Sequence, residues 1–370
     1  MAAASNDAAN MATESQQGSP ETGQWPADGL ENVSHCPVCS SGQRQLAYAG
    51  LTDQVFRCAP GRWDVYRCVS CGSGFLDPRP TPASIALAYD NYYTHAQTGG
   101  VNRDAVSWWK QRRISQRNHY LNTQFGYELQ PATRFLLFLS SRRRRRFDRY
   151  AGYLRFPGAG ARVLDIGCGN GSFLWQMRAL GWDVCGVEPD PQSAEQARTA
   201  GLDVRAELQP QPPWPEAHFD AITLFHVMEH LHQPVPTLGE CWKLLKPGGQ
   251  IVIATPNYEA RGREYFGRDW RGLEIPRHLV LFTEKSLWEA MEQSGFAVSR
   301  PARPSLNARA MFKLSAKLRR DRNPAEGSTG FPGLSRWRRE WLAFKADAET
   351  KTDPRHAEEL ILLGCKPRCG

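Results

Sequence analysis

Short apolar runs alternate with amphipathic stretches over the second half of the chain. The run at 163–166 enters a turn that contains glycines, and further apolar runs follow at 219–225 and 250–255. Between them, 172–180 and 235–245 carry apolar residues at the spacing of a helix. Strands that alternate with helices in this way predict a parallel sheet with helices on both faces.

Shorter apolar segments complete this pattern on both sides of the central runs. They lie at 184–188, 202–205, 295–300 and 359–364. Taken together, the segments predict an α/β fold built on a Rossmann-like sheet of seven strands.

The turn after the first run has glycine at every second position, at Gly167, Gly169 and Gly171. Glycine permits a positive φ and lets backbone N–H groups approach a ligand closely, because it has no Cβ. The next strand ends at Glu188, where a carboxylate can accept hydrogen bonds from both hydroxyls of a ribose. This pattern indicates a nucleotide-like ligand, but dinucleotide-binding enzymes also use such a turn.

The order of the following segments argues against a dinucleotide as the ligand. An acidic-Ile-Gly-x-Gly-x-Gly loop, an acidic end to the second strand and a Leu-Lys-Pro-Gly-Gly turn at 245–249 occur in register. With them the chain resembles the class I S-adenosylmethionine-dependent methyltransferases over about 162–296. The resemblance implies S-adenosylmethionine as the cofactor. It also implies the cofactor-binding residues Asp165, Gly167, Gly169, Gly171, Glu188 and Phe225.

Four of the ten cysteines are paired by their spacing. Cys36 and Cys39 form one Cys-x-x-Cys knuckle, and Cys68 and Cys71 form a second one after 28 intervening residues. Two knuckles can supply the tetrahedral sulfur shell that zinc prefers, and such a shell leaves no open position for substrate. The spacing predicts a structural Zn²⁺ in a small ribbon, with unpaired reduced thiols as the alternative. Cys58 is then a packed thiol.

The residues after the second knuckle extend the resemblance to about 36–296. Cys-x-x-Cys-Gly continues into Gly74-Phe-Leu-Asp-Pro-Arg-Pro80 and a tyrosine pair, as in a bacterial subgroup of methyltransferases with an N-terminal zinc-binding module. Several members of that subgroup act on sugars or cell-surface glycans. Tyr92 and Tyr93 are candidates for covering the substrate, and simple packing is the alternative. The expected organisation is a disordered tail (1–32), a zinc ribbon (33–80), a helical lid or linker (81–160), the S-adenosylmethionine-binding core (161–304), a helical insertion (305–358) and the last core strand with the C-terminus (359–370).

His226-Val-Met-Glu229-His230 lies at the carboxyl end of the fourth strand, where open α/β sheets place their ligands. Spacings of three and four put these three polar side chains on one face of a helical turn. The position resembles the Glu-x-x-Glu-His of ubiquinone-biosynthesis and small-RNA O-methyltransferases, which holds a divalent cation near the methyl acceptor. Glu229 and His230 match that pattern, whereas His226 departs from it and suits a softer metal than Mg²⁺.

Two interpretations of the same residues need no metal. In the first, His230 is the general base that removes the acceptor proton, and Glu229 orients it. In the second, the histidines cap a loop over the cofactor. His-x-x-Glu-His also matches an inverted zinc-protease motif, but that motif requires a long helix rather than a strand end.

A second polar cluster, running from Trp270 to Leu279, lies between the fifth strand and the next helix. It resembles the substrate loop of the same zinc-bearing subgroup. Arg277 is expected to pair with a phosphate or carboxylate of the substrate. His278 is a second candidate base or a further metal ligand. In the alternative interpretation, Trp270 and Leu279 only pack beneath the loop.

The formal charge of +8 is unevenly distributed along the chain. Residues 1–43 carry five acids and no Lys or Arg, whereas 101–160 carry thirteen Lys or Arg and three acids. The basic surplus suggests an anionic partner, and it includes five consecutive arginines that begin at Arg142 and end at Arg146. A solvated helix end is the simplest interpretation of this run. A peripheral contact of the run and the apolar quintet at 135–139 with an anionic membrane surface is the second, and a nucleic-acid contact is the third.

Targeting patterns favour a cytoplasmic location. The first 32 residues lack the basic and apolar regions of a secretory signal peptide, and the longest apolar run of the basic segment has five residues. A membrane-spanning helix needs about 18 or more.

Three functions compete on this evidence. The first is methyl transfer from S-adenosylmethionine to an oxygen or carbon of a small molecule, sugar or glycan precursor. The second is RNA methylation, with the zinc ribbon and basic surface binding RNA. Nucleic acid is the less favoured partner, because the fourth strand does not end in Asn/Asp-Pro-Pro-Tyr. The third is a zinc-ribbon adaptor with an inactive core, which the intact glycine loop disfavours. The oligomeric state and the role of the insertion stay open.

Overall fold

A computed structural model describes residues 23–89, 108–133, 140–206, 214–322 and 335–368. Residues 1–22, the Tyr92–Tyr93 pair, the apolar quintet at 135–139 and the loop residues 209–213 lie outside the described part of the chain. The sequence-based expectations for these segments therefore stay predictions.

The N-terminal module consists of short strands that bring the two cysteine knuckles together. Its strands are β1 (Leu30–Glu31), β2 (Arg44–Leu51), β3 (Trp63–Cys68), β4 (Gly74–Leu76) and β5 (Arg79–Pro80). β2, β3 and β4 pair antiparallel in that order, and β1 pairs with β5. Each knuckle closes as a tight turn: Ser40 donates its N–H to the Cys36 carbonyl at 2.9 Å, and Gly72 donates to the Cys68 carbonyl at 3.1 Å.

The prediction of a disordered tail is wrong for residues 23–32. The buried indole of Trp25 packs edge-on against Trp63, with ring centroids 5.2 Å apart, and donates a hydrogen bond to the Gly29 carbonyl at 3.1 Å. Leu30 pairs with Pro80 across the β1–β5 ladder. A single large aromatic side chain thus supplies the apolar surface that the polar composition of this segment lacks.

Two helices precede the core, α1 (Trp108–Phe125) and α2 (Ser141–Tyr150). The arginine run forms the first turns of α2 and is mostly exposed, as expected for a solvated helix end. Arg145 is half buried and donates to the Pro304 carbonyl at 3.0 Å. The first turn of α2 contains no acidic residue. Positive charge is therefore concentrated at the helix end that prefers anions.

Seven strands in the described part of the chain form one central sheet. From Arg162 onwards the strands are β6 (Arg162–Ile166), β7 (Asp183–Val187), β8 (Asp203–Arg205), β9 (Phe219–Phe225), β10 (Leu245–Pro256), β11 (Val280–Leu281), β12 (Ala297–Ser299) and β13 (Glu359–Cys365). All except β11 belong to the sheet, in the spatial order β12-β13-β10-β9-β6-β7-β8. β13 runs antiparallel to both of its neighbours, and the remaining pairs are parallel. The predicted seven-stranded Rossmann-like sheet is confirmed.

Helices cover both faces of this sheet. They are α3 (Ser172–Ala179), α4 (Pro191–Thr199), α5 (Pro234–Leu244), α6 (Arg261–Phe266), α7 (Glu284–Gln293), α8 (Ala308–Arg322) and α9 (Arg336–Thr352). Successive residues of β6 enter different hydrophobic clusters, Val163 on one face and Leu164 on the other, because side chains alternate along a strand. The turn expected at 246–249 lies inside β10, where the pairing with β9 is irregular.

The N-terminal module shares a sheet and a hydrophobic cluster with the core. β11 pairs antiparallel with β4, and Val280 lies opposite Phe75. Cys68 and Leu281 belong to the same buried cluster. The module predicted at 33–80 is therefore completed by core residues that lie about 200 positions further along the chain.

Candidate active site

Packing explains two of the three glycines in the loop after β6. Gly167 and Gly171 have φ values of 73° and 79°. A Cβ on Gly167 would lie 2.4 Å from Val227 Cγ2, and one on Gly171 would lie 2.2 Å from Leu202 Cδ1. Gly169 also has a positive φ, of 54°, but its Cβ position has no neighbouring atom within 4 Å. The loop therefore packs tightly at its two ends and keeps an open surface at its centre.

Glu188, directly after β7, is tied to this loop through main-chain hydrogen bonds. Its Oε2 accepts the N–H of Gly169 at 2.7 Å, and its Oε1 accepts the N–H of Asp190 at 2.9 Å. Burial raises the pKa of Glu188. Each carboxylate oxygen keeps a second lone pair. The open loop centre and this buried carboxylate fit the ribose end of S-adenosylmethionine.

Asp165 lies between two strands of the sheet. Its carboxylate is buried and accepts a hydrogen bond from Thr223 Oγ1 at 2.6 Å, which joins β6 to β9. Burial raises the pKa of Asp165 to about 7. Asp165 thus supports the strand from which the glycine loop starts, and its contact to a cofactor stays a prediction.

Phe225 lines a cavity of about 330 Å³ at the carboxyl edge of the sheet. The Phe173 ring, on the first turn of α3, lies edge-on to Phe225 with centroids 5.1 Å apart. Arg149 and Tyr153 bring polar groups from α2 and the turn after it to the same cavity. The cavity is therefore aromatic on one side and polar on the other, beside the glycine loop.

His226 is held between two buried carboxylates. Its Nε2 lies 2.9 Å from Glu359 Oε1, and its Nδ1 lies 3.5 Å from Glu229 Oε1. Glu359 also pairs with Arg149 at 2.9 Å. Burial opposes the charged imidazole, but the hydrogen bonds to Glu229 and Glu359 outweigh it and raise the pKa of His226 to about 10. This shift favours the charged imidazole at neutral pH, which would make His226 a poor metal ligand or base, and its catalytic role stays a prediction.

Glu229, His230 and His278 form a separate cluster. Each offers one ligand atom, and the three atoms lie within 4.8 Å of one another. Glu229 Oε2 accepts a hydrogen bond from Thr255 Oγ1 at 2.8 Å, whereas the buried Oε1 has only the longer, 3.5 Å contact to His226 Nδ1 among the described residues. The sequence spacing grouped His226 with Glu229 and His230. The structure places His278 in that position and turns His226 towards Glu359.

Backbone carbonyls determine the tautomers of both histidines in this cluster. His230 Nδ1 lies 3.0 Å from the Arg277 carbonyl and 3.1 Å from the Tyr89 hydroxyl, and His278 Nδ1 lies 2.8 Å from the Gly272 carbonyl. A carbonyl only accepts, so Nδ1 carries the proton in each ring and Nε2 keeps its lone pair. Burial lowers the pKa of His278 to about 4, which keeps this ring neutral. Such preset rings can bind a metal or accept a proton through Nε2.

The expectation that Arg277 binds substrate is wrong. Its side chain is fully buried and pairs with Asp53 at 2.5 and 3.0 Å, and it donates a further hydrogen bond to the Ala88 carbonyl at 2.8 Å. Arg277 therefore fastens the loop of His278 to the N-terminal module. Trp270 is buried too and donates to Glu358 Oε2 at 3.0 Å, which agrees with the packing interpretation.

The four knuckle cysteines converge on one point. Their Sγ atoms lie within 4.8 Å of one another, with 3.6 Å between Cys36 and Cys71 and 3.5 Å between Cys39 and Cys68. A tetrahedral zinc shell with bonds of about 2.3 Å places its sulfur atoms about 3.8 Å apart. The four thiols thus fit a zinc ion. Cys58 lies outside the group, where its thiol contacts Asp53 and the Ala88 carbonyl.

Sequence reasoning missed Glu359, Arg149, Thr255 and Tyr89 as parts of this site. Glu359 had one recognisable sign, because it is an acid at the start of the otherwise apolar strand β13. The other three contact the cluster or its carboxylates from distant elements, and no local spacing connects them.

Comparisons with known proteins identify the family of this chain. The family described as "Methyltransferase domain" matches residues 136–300. Ubiquinone biosynthesis O-methyltransferase of Xanthomonas oryzae pv. oryzae (strain PXO99A) is 35% identical over 110 residues, 28% of this chain and 46% of that protein. The protein of the same name from Caulobacter sp. (strain K31) is 30% identical over 199 residues, 48% of this chain and 75% of that protein. A solved SAM dependent methyltransferase from Archaeoglobus fulgidus matches 60% of this chain and 92% of its own, with 19% identity and a TM-score of 0.40.

The chain belongs to the class I S-adenosylmethionine-dependent methyltransferases, a family of enzymes. It spans slightly less than half the length of the Xanthomonas relative. The cysteine cluster is consistent with the zinc-bearing subgroup. None of the helices in the described residues has the length and apolar content that crossing a bilayer requires.

Proposed function

We propose that this protein transfers a methyl group from S-adenosylmethionine to an oxygen of a small molecule, a sugar or a glycan precursor, with a carbon acceptor as the alternative. The observation that carries the proposal is the Glu229–His230–His278 cluster beside the cofactor loop, with two imidazole Nε2 lone pairs preset by backbone carbonyls. The printed names of the two relatives, both O-methyltransferases, favour oxygen as the acceptor atom.

In this proposal the protein positions the reactants and takes up one proton. When bound, S-adenosylmethionine supplies a methyl carbon activated by its sulfonium. Glu188 and the glycine loop would hold the cofactor, and the acceptor would lie beside the Glu229–His230–His278 cluster. His230 Nε2 would accept the proton that the acceptor hydroxyl loses when it takes up the methyl group. Glu229 and His278 orient His230.

The same three residues also suit a divalent metal ion. Glu229 Oε1 is buried with no short hydrogen bond among the described residues, since its contact to His226 Nδ1 is 3.5 Å long, and His278 is neutral at physiological pH. Two imidazoles and one carboxylate suit zinc, cobalt or nickel better than magnesium. An ion held there would lower the pKa of the acceptor hydroxyl and replace His230 as the activating group.

Metal stoichiometry separates these two mechanisms without an activity assay. A metal-binding cluster adds a second equivalent of cobalt to that held by the cysteines, and His278→Asn removes it while cofactor affinity stays unchanged. In the base mechanism the unmodified chain and His278→Asn bind the same number of cobalt ions. His218→Asn is the matched control, because His218 precedes β9 at the opposite edge of the sheet.

The function itself is tested with labelled S-adenosylmethionine and three separate acceptor fractions. We expect label in hydroxylated small molecules or glycans, and about a hundredfold or greater loss in His230→Gln. Label in RNA alone would replace this proposal with RNA methylation, the alternative that the basic surface offers. Cofactor binding without transfer to any fraction would favour an adaptor with an inactive core.

We also propose that Cys36, Cys39, Cys68 and Cys71 hold one structural Zn²⁺, in a protein that works in the cytoplasm, where thiols stay reduced. Metal analysis of freshly reduced protein should give about one zinc per chain. Cys71→Ser should abolish zinc retention, whereas Cys58→Ser, outside the group, should not. Metal-free protein with an intact fold would contradict the assignment.

A further inference from the structure

The outer face of α9 carries large aromatic side chains. Trp337, Trp341 and Phe344 are 86%, 60% and 69% exposed. Their spacing of four and three residues aligns them in one stripe along the helix. On the opposite face the fully buried side chains are small, Ala343, Ala346 and Thr350, and Leu342 is partly buried. α9 thus reverses the usual amphipathic arrangement, in which large apolar residues face the core.

An exposed aromatic stripe of this size points to a partner. Exposed apolar residues are ordinary when scattered singly, but a contiguous patch with a polar rim marks an interaction site. The described residues leave this stripe accessible to solvent.

Basic side chains flank the stripe on both sides, and Glu340, an acid beside Trp337 and Phe344 on the helix, pairs with Arg309 at 2.6 Å. At 100° per residue, Lys345, Lys351 and Arg338 flank the aromatic residues on the two sides of the helix. The Lys345 ammonium lies 5.8 Å from the centroid of the Trp341 ring. α8 packs against α9, and together the two helices carry eleven Lys or Arg and four acids.

The arginine run of α2 adds to the same basic surface. Arg145 donates to the Pro304 carbonyl at 3.0 Å, and Asp347 of α9 accepts the N–H of Ala308 at 3.2 Å. Both side chains therefore contact the short segment that leads into α8. Burial raises the pKa of Asp347, and the nearby charges of Lys351 and Arg145 partly offset this shift. Exposed Arg142, Arg143 and Arg144 lie one turn from this contact.

We propose that α9 is an interfacial helix that docks on an anionic lipid bilayer. Its aromatic stripe would lie at the boundary of headgroups and acyl chains, and the flanking cations would pair with lipid phosphates. Tryptophan prefers this depth because its ring is apolar and its N–H is polar. Helices that lie in the membrane plane have an aromatic face and a polar face rich in Lys and Arg.

The shape of the stripe favours a bilayer over single-stranded nucleic acid. Proteins that bind single strands combine stacking rings with a basic groove that follows the backbone. Here the rings stand on the convex outside of a helix, with cations on both sides. A continuous negative surface contacts all of these groups at once.

The test is flotation of the full chain with vesicles of two compositions. We expect binding to phosphatidylcholine vesicles that contain about one third phosphatidylglycerol and much weaker binding to phosphatidylcholine alone. Trp337→Ala/Trp341→Ala should weaken binding by about tenfold or more, because two aromatic side chains lose their apolar contact. Trp175→Ala, an exposed tryptophan on α3, is the matched control and should bind like the unmodified chain.

Two further measurements complete the test. Lys345→Glu/Lys351→Glu should reduce both the affinity and its dependence on salt. Unchanged cofactor affinity shows that the variants are folded. The proposal is overturned if the chain does not bind anionic vesicles, or if the double tryptophan variant binds them as well as the control does. It is also overturned if the double variant changes only self-association or only binding to single-stranded RNA.

Discussion

The glycine loop and the Glu229–His230–His278 cluster lie at the same edge of the central sheet, but different parts of the chain build them. The loop and Glu188 come from one contiguous stretch, and the hydrogen bond from Gly169 to Glu188 spans 19 positions. The cluster combines residues after β9 with a loop some 50 positions later, and Arg277 in that loop pairs with Asp53, 224 positions away. Under the proposed function, cofactor binding would thus depend on local backbone geometry, whereas acceptor activation would depend on the N-terminal module.

The largest effect should follow from removing the charge of Glu229. Glu229→Gln keeps a partner for Thr255 but removes the negative charge beside His230 and His226. We expect kcat to fall by about two to four orders of magnitude, the usual range for an acid–base or metal site. Cofactor affinity, measured by calorimetry, should stay within about twofold. Glu195→Gln on exposed α4 is the control, and a tenfold loss of cofactor affinity in Glu229→Gln would contradict the separation of the two regions.

Asp53→Asn tests whether the N-terminal module supports the Glu229–His230–His278 cluster. It removes the main counter-charge of the buried Arg277 guanidinium and leaves only the longer, 3.4 Å contact to Glu274, and breaking a buried pair typically costs about 3 kcal/mol or more of folding free energy. Denaturant unfolding measures this loss, and kcat should fall while cofactor affinity remains. Glu31→Gln is a matched control in the same module, because the Glu31–Arg79 pair is more exposed and should contribute at most about 1 kcal/mol. Equal effects of the two substitutions would show that the buried pair does not link the regions.

Glu188→Ala tests the region formed by the glycine loop and Glu188. It removes a buried acceptor for the cofactor ribose and for the Gly169 N–H, so we expect cofactor binding to weaken by about 2 kcal/mol. Cobalt binding at the cluster, where present, should not change. An unchanged cofactor affinity in calorimetry would remove Glu188 from the cofactor site.

The smallest effect concerns pH. Because the folded protein raises the pKa of His226 from 6.5 to about 10, the stabilisation is fully present below pH 6.5 and is lost as the pH rises towards 10. His226 is about half exposed, so solvent screening keeps this contribution small. The melting temperature of the unmodified chain should fall more steeply between these pH values than that of His226→Asn. Parallel curves would mean that His226 is not charged in the folded state.

The same contrast explains what the sequence could predict. The strands at 163–166 and 219–225 and the loop glycines follow from apolar periodicity and backbone geometry, and the structure places them as expected. Arg277 looked like a substrate ligand because sequence alone does not reveal that Asp53 would be buried against it. His226 shared a helical spacing with Glu229, but its positive φ of 58° turns the chain before the helical turn begins. Trp25 ordered a segment whose polar composition predicted disorder.

The pairing of β4 with β11 has a consequence for synthesis on the ribosome. The hairpin of β2 and β3 and both knuckles are made early, so the cysteines are available for the proposed zinc ion soon after they emerge. Phe75 pairs with Val280, about 200 residues later, and translation at about 5–20 residues per second leaves β4 without this neighbour for about 10–40 s. An unpaired strand edge of this kind invites association with other chains. During this interval chaperones or the supply of zinc can therefore determine whether the nascent module folds or associates with other chains before β11 pairs with it.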